Sequence, residues 1–151
     1  MAELHCPINE VESLLPHSGR MVLIDRVTGF GEDFLEAEAC IHPDHILLQE
    51  GKFASFSAIE IMAQGVAAWA GCMARLADEP VRQGYLLGSR KLFIYRPEIA
   101  VGCKLKINVK MSLQDATGFG IFDCQLLELP SEQLILQGAL NVFSPKDEKI
   151  T

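Results

Sequence analysis

A lone acid inside an apolar helical run is the first place to look for chemistry. Residues 53–77, FASFSAIEIMAQGVAAWAGCMARLA, read as one long helix whose single carboxylate is Glu60. Burial among such side chains disfavours the charged form, which raises the pKa and suits an acid. Gln64 stands four residues on, shares the helix face, and could orient the carboxyl. Each has a structural alternative. Ser57-Ala58-Ile59-Glu60 fits S-x-x-E, a capping box in which Glu60 only satisfies the helix end. Gln64 can be an amide bonded within the core. His17, in the turn cluster Pro16-His17-Ser18-Gly19, is either an acid/base group or a turn histidine bonded to backbone.

Other reactive residue types give less. His42 and His45 lie three apart with Asp44 between them, short of the three or four convergent ligands of a metal site. A solvated loop is expected there, and no metal. The five cysteines are odd in number and contain no C-x-x-C pair, which argues against a disulfide framework or a zinc ribbon. Free thiols fit a reducing cytoplasm. Cys40, Cys72 and Cys124 are expected as small core residues. Arg90, Lys91 and Arg96 could attract a phosphate or a carboxylate; a solvated strand edge is the plainer meaning.

The elements that must position these groups follow from apolar spacing. Residues 9–15 suit a short helical segment stopped before Pro16. Residues 21–28 form a branched apolar run that reads as a buried strand, and 34–41 alternate as a half-solvated one. Residues 42–52 read as a loop. Four more strands are expected over 84–95, 104–113, 118–128 and 133–143. The clearest puts Leu105, Ile107, Val109, Met111 and Leu113 on one face. In the long helix, Gly65 and Gly71 are costly unless other backbone packs closely there. Strand, strand, helix and four strands predict an α+β fold, one antiparallel sheet wrapped around the helix.

Size and charge set the outer bounds. The chain has 151 residues, 49% hydrophobic and 22% charged, which suits one globular domain over residues 1–151, with a frayed tail after about 145. A net charge of −7 argues against nucleic-acid binding. The first twenty residues lack the basic start and apolar run of a signal peptide, so a cytoplasmic location is expected. Residues 53–77 are long enough to span a membrane. Glu60, Gln64 and the alanine and glycine content instead predict a buried helix of a soluble protein, with no transmembrane segment.

Two segments carry a family resemblance. Leu15-Pro16-His17, then Met21-Val22-Leu23-Ile24-Asp25-Arg26-Val27, resembles the opening of the (3R)-hydroxyacyl-ACP dehydratases. Ile59-Glu60-Ile61-Met62-Ala63-Gln64 resembles the start of their central helix. The likeness spans roughly residues 10–145. It implies a hot-dog fold, at least dimeric, with sites between protomers. It also implies acyl thioester substrates carried on the phosphopantetheine of acyl carrier protein or coenzyme A, and no other cofactor.

The chain departs from that pattern at one place. The family's catalytic histidine sits in a His-Phe-Pro-Gly loop ahead of the helix. Here the stretch reads Gln49-Glu50-Gly51-Lys52-Phe53-Ala54-Ser55-Phe56-Ser57, with neither histidine nor proline, and Lys52 falls near the histidine position. With Leu86-Leu87-Gly88-Ser89-Arg90, this is more similar to the dehydratase-like subunits of aryl-polyene lipid gene clusters, which pair with a second hot-dog dehydratase. Dehydration needs two positioned acid/base groups and donors for an enolate-like oxygen. The resemblance assigns catalysis to Glu60, Gln64 and His17. The helix N-terminus at Phe53, Ala54, Ser55 and Phe56, with Arg90, would hold the thioester. Three readings follow: a heterodimer completed by a histidine-bearing partner, a homodimer with thioesterase-like chemistry, or a non-catalytic stabilising subunit.

Overall fold

The structure, a computed structural model, describes residues 4–145; the expectation for the tail falls outside them. The elements run β1 (Arg26–Phe30), β2 (Phe34–Cys40), β3 (Phe53–Ala54), α1 (Ile59–Leu76), β4 (Tyr85–Ile94), β5 (Glu98–Ile99), β6 (Lys104–Gln114), β7 (Phe119–Leu129) and β8 (Gln133–Phe143). Six strands make one antiparallel sheet in the order β1-β2-β6-β7-β8-β4. α1 lies against its inner face. This is the α+β, hot-dog arrangement expected above.

Alternation explains the packing. Leu35, Ala37 and Ala39 of β2, Leu105, Ile107 and Val109 of β6, and Phe122, Cys124 and Leu126 of β7 are buried, while the residues between them face outward. The expected face of β6 does not run its full length. Met111 is half-buried and Leu113 is 46% exposed, because the β6–β7 register shifts between them.

The helix is packed as its glycines suggested. A Cβ on Gly71 would collide with the backbone carbonyl oxygen of Leu14. One on Gly65 would lie 3.0 Å from the Val109 side chain and 3.1 Å from Ile107. Backbone and sheet therefore approach α1 more closely than alanine would allow. Trp69 closes one side; its indole N–H donates to Gly31 O at 3.0 Å. Ser55–Leu76 is long and apolar enough to cross a membrane, yet it is mostly buried against the sheet.

Two expected elements are shorter than the sequence suggested. The apolar run 21–28 enters the sheet only at Arg26. Its first part is irregular because the Leu23 and Ile24 N–H groups bond to a side chain, that of Gln64, instead of to a neighbouring strand. The helical run 53–77 opens with β3 and a 3-10 turn, Ser55–Ala58, before α1 begins. Pairing of Phe53 with Ile99 pins that start.

The loop ahead of the helix ends in a tight turn. Gln49 and Lys52 exchange backbone hydrogen bonds of 2.9 and 3.0 Å around Glu50 (φ 53°) and Gly51 (φ 75°). Two positive φ angles in succession are the signature of a two-residue type I′ turn, and glycine takes the second at no steric cost.

Candidate active site

Glu60, Ala63, Gln64, Ala67 and Ala70 recur at helical spacing and form one wall of a groove of about 390 Å³. Ten residues of helix span about 15 Å. His17, Met21, Leu23, Ile46 and Leu47 line one side; Leu86 and Val142 line the other. A second recess, about 340 Å³, opens over the start of α1 between Phe56, Ser57 and Ile59 and the β4 residues Leu86, Gly88 and Ser89. Glu60, Leu47 and Leu86 belong to both. Glu60 thus borders both spaces.

The structure corrects the expected burial of Glu60. In this chain it is exposed, and among the described residues it makes no hydrogen bond or ion pair. The capping box does not form either. Ala58 is the N-cap of α1 and no side chain caps it. The 3-10 turn moves the helix start, so Glu60 is the second helical residue and not the third that a capping box requires.

Gln64 has the opposite fate. It is 3% exposed. Its Oε1 accepts from the N–H groups of Leu23 (2.5 Å) and Ile24 (3.1 Å), and its Nε2 donates to Met21 O at 2.8 Å. The amide is committed to holding the 21–24 segment, which supports the core alternative over orientation of the carboxyl.

His17 lies in the groove with Glu60. Its Nδ1 is buried without a hydrogen-bond partner, so that nitrogen is not bonding backbone in the turn. His45 points elsewhere, into a small polar recess with Arg20, Asp25, His42 and Asp44. Burial, with His42 adding to it, pushes its pKa below the ordinary value; Asp25 and Asp44 oppose the shift. Among the described residues no cluster has metal-binding geometry.

The expected thioester contacts divide. Phe56, 63% exposed, borders the N-terminal recess. Phe53 is instead wholly buried, edge-on to His45 with ring centroids 5.1 Å apart. Ser55 is buried too, and its N–H is spent on Pro97 O at 2.9 Å. Ala54 pairs with Glu98 and lines neither space. Arg90 lies on β4 and likewise lines neither. Arg96 is engaged by Glu128 at 3.0 Å, which holds that carboxyl below its usual range. Cys72 and Cys124 are buried as expected and Cys40 is half-buried; desolvation pushes the Cys72 thiol up to about 12, which makes it inert. Spacing alone missed Leu47, Leu86, Arg82 and the alanines Ala63, Ala67 and Ala70 as groove residues. A larger hollow of about 550 Å³, between Phe34 and Phe93 on the outer sheet face, contains none of the expected site residues.

A family model described as ApeP dehydratase, ApeP-like, matches residues 9–151. The chain belongs to the ApeP-like dehydratase family. It is similar to the structure described as the dehydratase heterocomplex ApeI:P from Xenorhabdus doucetiae, at 28% identity and a TM-score of 0.82, covering 95% of this chain and 94% of that one. Two more distant structures share the fold. The E. coli PaaI protein from the phenylacetic acid degradation operon aligns at 8% identity and a TM-score of 0.59, covering 78% of this chain and 80% of that one. A hypothetical thioesterase with coenzyme A from Streptococcus pneumoniae TIGR4 aligns at 10% identity and a TM-score of 0.60, covering 78% and 86%. A search of curated proteins finds no match.

Proposed function

We propose that this chain supplies the glutamate of a dehydratase for 3-hydroxyacyl thioesters of lipid or polyene synthesis, and that a histidine-bearing hot-dog partner completes the site. The observation that carries this is Glu60, exposed, without a hydrogen bond among the described residues, and bordering both recesses. The thioester, on the phosphopantetheine of acyl carrier protein or coenzyme A, enters over Phe56 and Ser57. Its acyl chain lies along Ala63, Ala67 and Ala70.

The chemistry follows from those positions. The partner histidine removes a proton from the carbon next to the thioester carbonyl. Negative charge builds on the carbonyl oxygen, where donors at the N-terminal turn of the helix stabilise it. Protonated Glu60 gives its proton to the departing 3-hydroxyl, which leaves as water, and the double bond forms between carbons 2 and 3. A covering partner would exclude water from Glu60 and favour the protonated form this step needs. The half-buried and buried thiols suit a reducing, cytoplasmic setting.

One observation favours a second reading. The unpartnered Nδ1 of His17 shares the groove with Glu60, so a homodimer of this chain could hold its own pair of groups and act on a thioester alone. Hydration of a trans-2-enoyl thioester tests both. The partnered reading expects no turnover by the chain alone and turnover on adding the partner. Turnover or hydrolysis by the chain alone, lost in His17→Ala, supports the second. Stable complexes with no response to Glu60→Gln or His17→Ala mean a non-catalytic subunit.

A further inference from the structure

The groove that Glu60 borders is mostly apolar, yet an arginine belongs to it. Among its lining residues Arg82 is the only arginine or lysine. Arg82 follows α1 in the chain, and its neighbours fix it beside the last turns of that helix. The Glu79 N–H donates to Ala74 O at 2.8 Å, and the Glu79 carboxylate holds the Arg82 guanidinium at 3.3 Å. On the other flank the Ser144 hydroxyl donates to Gln83 O at 3.2 Å. Arg82 therefore lines the groove towards its Ala70 end, ten residues and about 15 Å of helix from Glu60. The other polar lining residues are His17, Gln64 and Ser144. The Gln64 amide and the Ser144 hydroxyl are already bonded within the chain.

We propose that Arg82 is the stop that sets the length of acyl chain the groove accepts, holding hydrocarbon from Glu60 as far as the guanidinium and no further. This rests on the partnered reading above, which lays the acyl chain along this groove, and adds what limits its length. A guanidinium stays protonated at any working pH and carries five N–H donors, of which Glu79 takes one. The Arg82 side chain keeps 32% exposure, so solvent reaches the others. A methyl end pressed against it strips that solvent and offers no acceptor in return, the cost that unpaired polar groups carry on burial. Each methylene laid short of Arg82 instead gains from leaving water. Affinity therefore climbs with every carbon until the chain reaches Arg82, and then stops climbing.

Calorimetric binding of saturated acyl-pantetheines, each one methylene longer than the last, tests this on the full chain without and with a histidine-bearing hot-dog partner. Arg82→Leu continues the apolar wall, and Arg82→Lys keeps the charge. The exposed pair with Glu79 adds little to stability, so both variants are expected to fold, which circular dichroism checks. In the unaltered chain the dissociation constant falls about fourfold per methylene, the ratio that burying a CH₂ confers, up to a break beyond which it falls no further. Arg82→Leu moves the break to chains at least two methylenes longer, which then bind about tenfold or more tighter than to the unaltered chain. Arg82→Lys leaves the break in place. A break at the same length in Arg82→Leu, a break that moves equally in Arg82→Lys, or a steady fall at all lengths in the unaltered chain overturns the inference alone. No binding at any length removes the groove as an acyl site and the inference with it. Because binding is measured and not turnover, the partnered-dehydratase reading is decided separately in the enoyl thioester assay.

Discussion

Glu60 makes no hydrogen bond or ion pair among the described residues, so replacing it should leave the fold alone and remove only chemistry. Glu60→Gln is expected to cost about 10²- to 10⁴-fold in turnover of the assembled enzyme with an unchanged melting temperature; a steady-state assay beside a thermal melt checks both. Gln64 behaves in reverse. Gln64→Leu leaves the Leu23 and Ile24 N–H groups and the Met21 carbonyl without their partner, at about 3 kcal/mol of stability, read as a lower urea midpoint. His45 supplies a pH term. Its depressed pKa means the unfolded chain binds its proton more readily. Stability is therefore full above the ordinary value of 6.5 and is lost as pH falls through the lowered value in the fold. Melts at pH 7.5 and 5 should show a smaller loss in His45→Asn than in the unaltered chain. At this scale sequence singled out Glu60, Gln64 and His17 through spacing and motif, and the fold brings all three to one groove. It could not separate their roles, because whether an amide faces backbone or ligand depends on where the 21–24 segment runs.

Among the elements, α1 was the most legible. Glycine and alanine at its faces announced close packing, and the Leu14 backbone sits where a Gly71 side chain would go. Gly71→Ala is expected to cost about 3 kcal/mol or more because backbone cannot give way, whereas Gly65→Ala meets only side-chain methyls and costs less. Comparative thermal melts rank the two, each kcal/mol being roughly 2–4 °C for a chain of this size. The strands of β2, β6, β7 and β8 were readable because each buries one face and alternation records it. The run 21–28 reads as a longer strand in sequence because branched apolar residues look the same whether strand backbone or the Gln64 amide takes their N–H groups. The start of α1 was misplaced for a similar reason. Pairing of Phe53 with Ile99 is a long-range event that local spacing does not carry.

At the scale of the whole molecule, the order of strands and one helix was enough for the fold, since a single sheet around a single apolar helix buries the inner face of the sheet and most of the helix. What covers the bare edge of β4 and the open side of the groove was not readable. Tyr85, Leu86, Phe93 and Phe56 look like core residues in sequence, and their exposure is visible only once the chain is folded alone. The partnered reading requires an exposed carboxyl in an open groove, and Glu60 is one. The most direct measurement is the rate of trans-2-enoyl thioester hydration by the chain alone, by a histidine-bearing hot-dog partner, and by the two together, each with Glu60 or Glu60→Gln. Activity that appears on mixing and vanishes with Glu60→Gln is the expected result. Equal activity of the mixture with and without the Glu60 carboxyl would contradict the account.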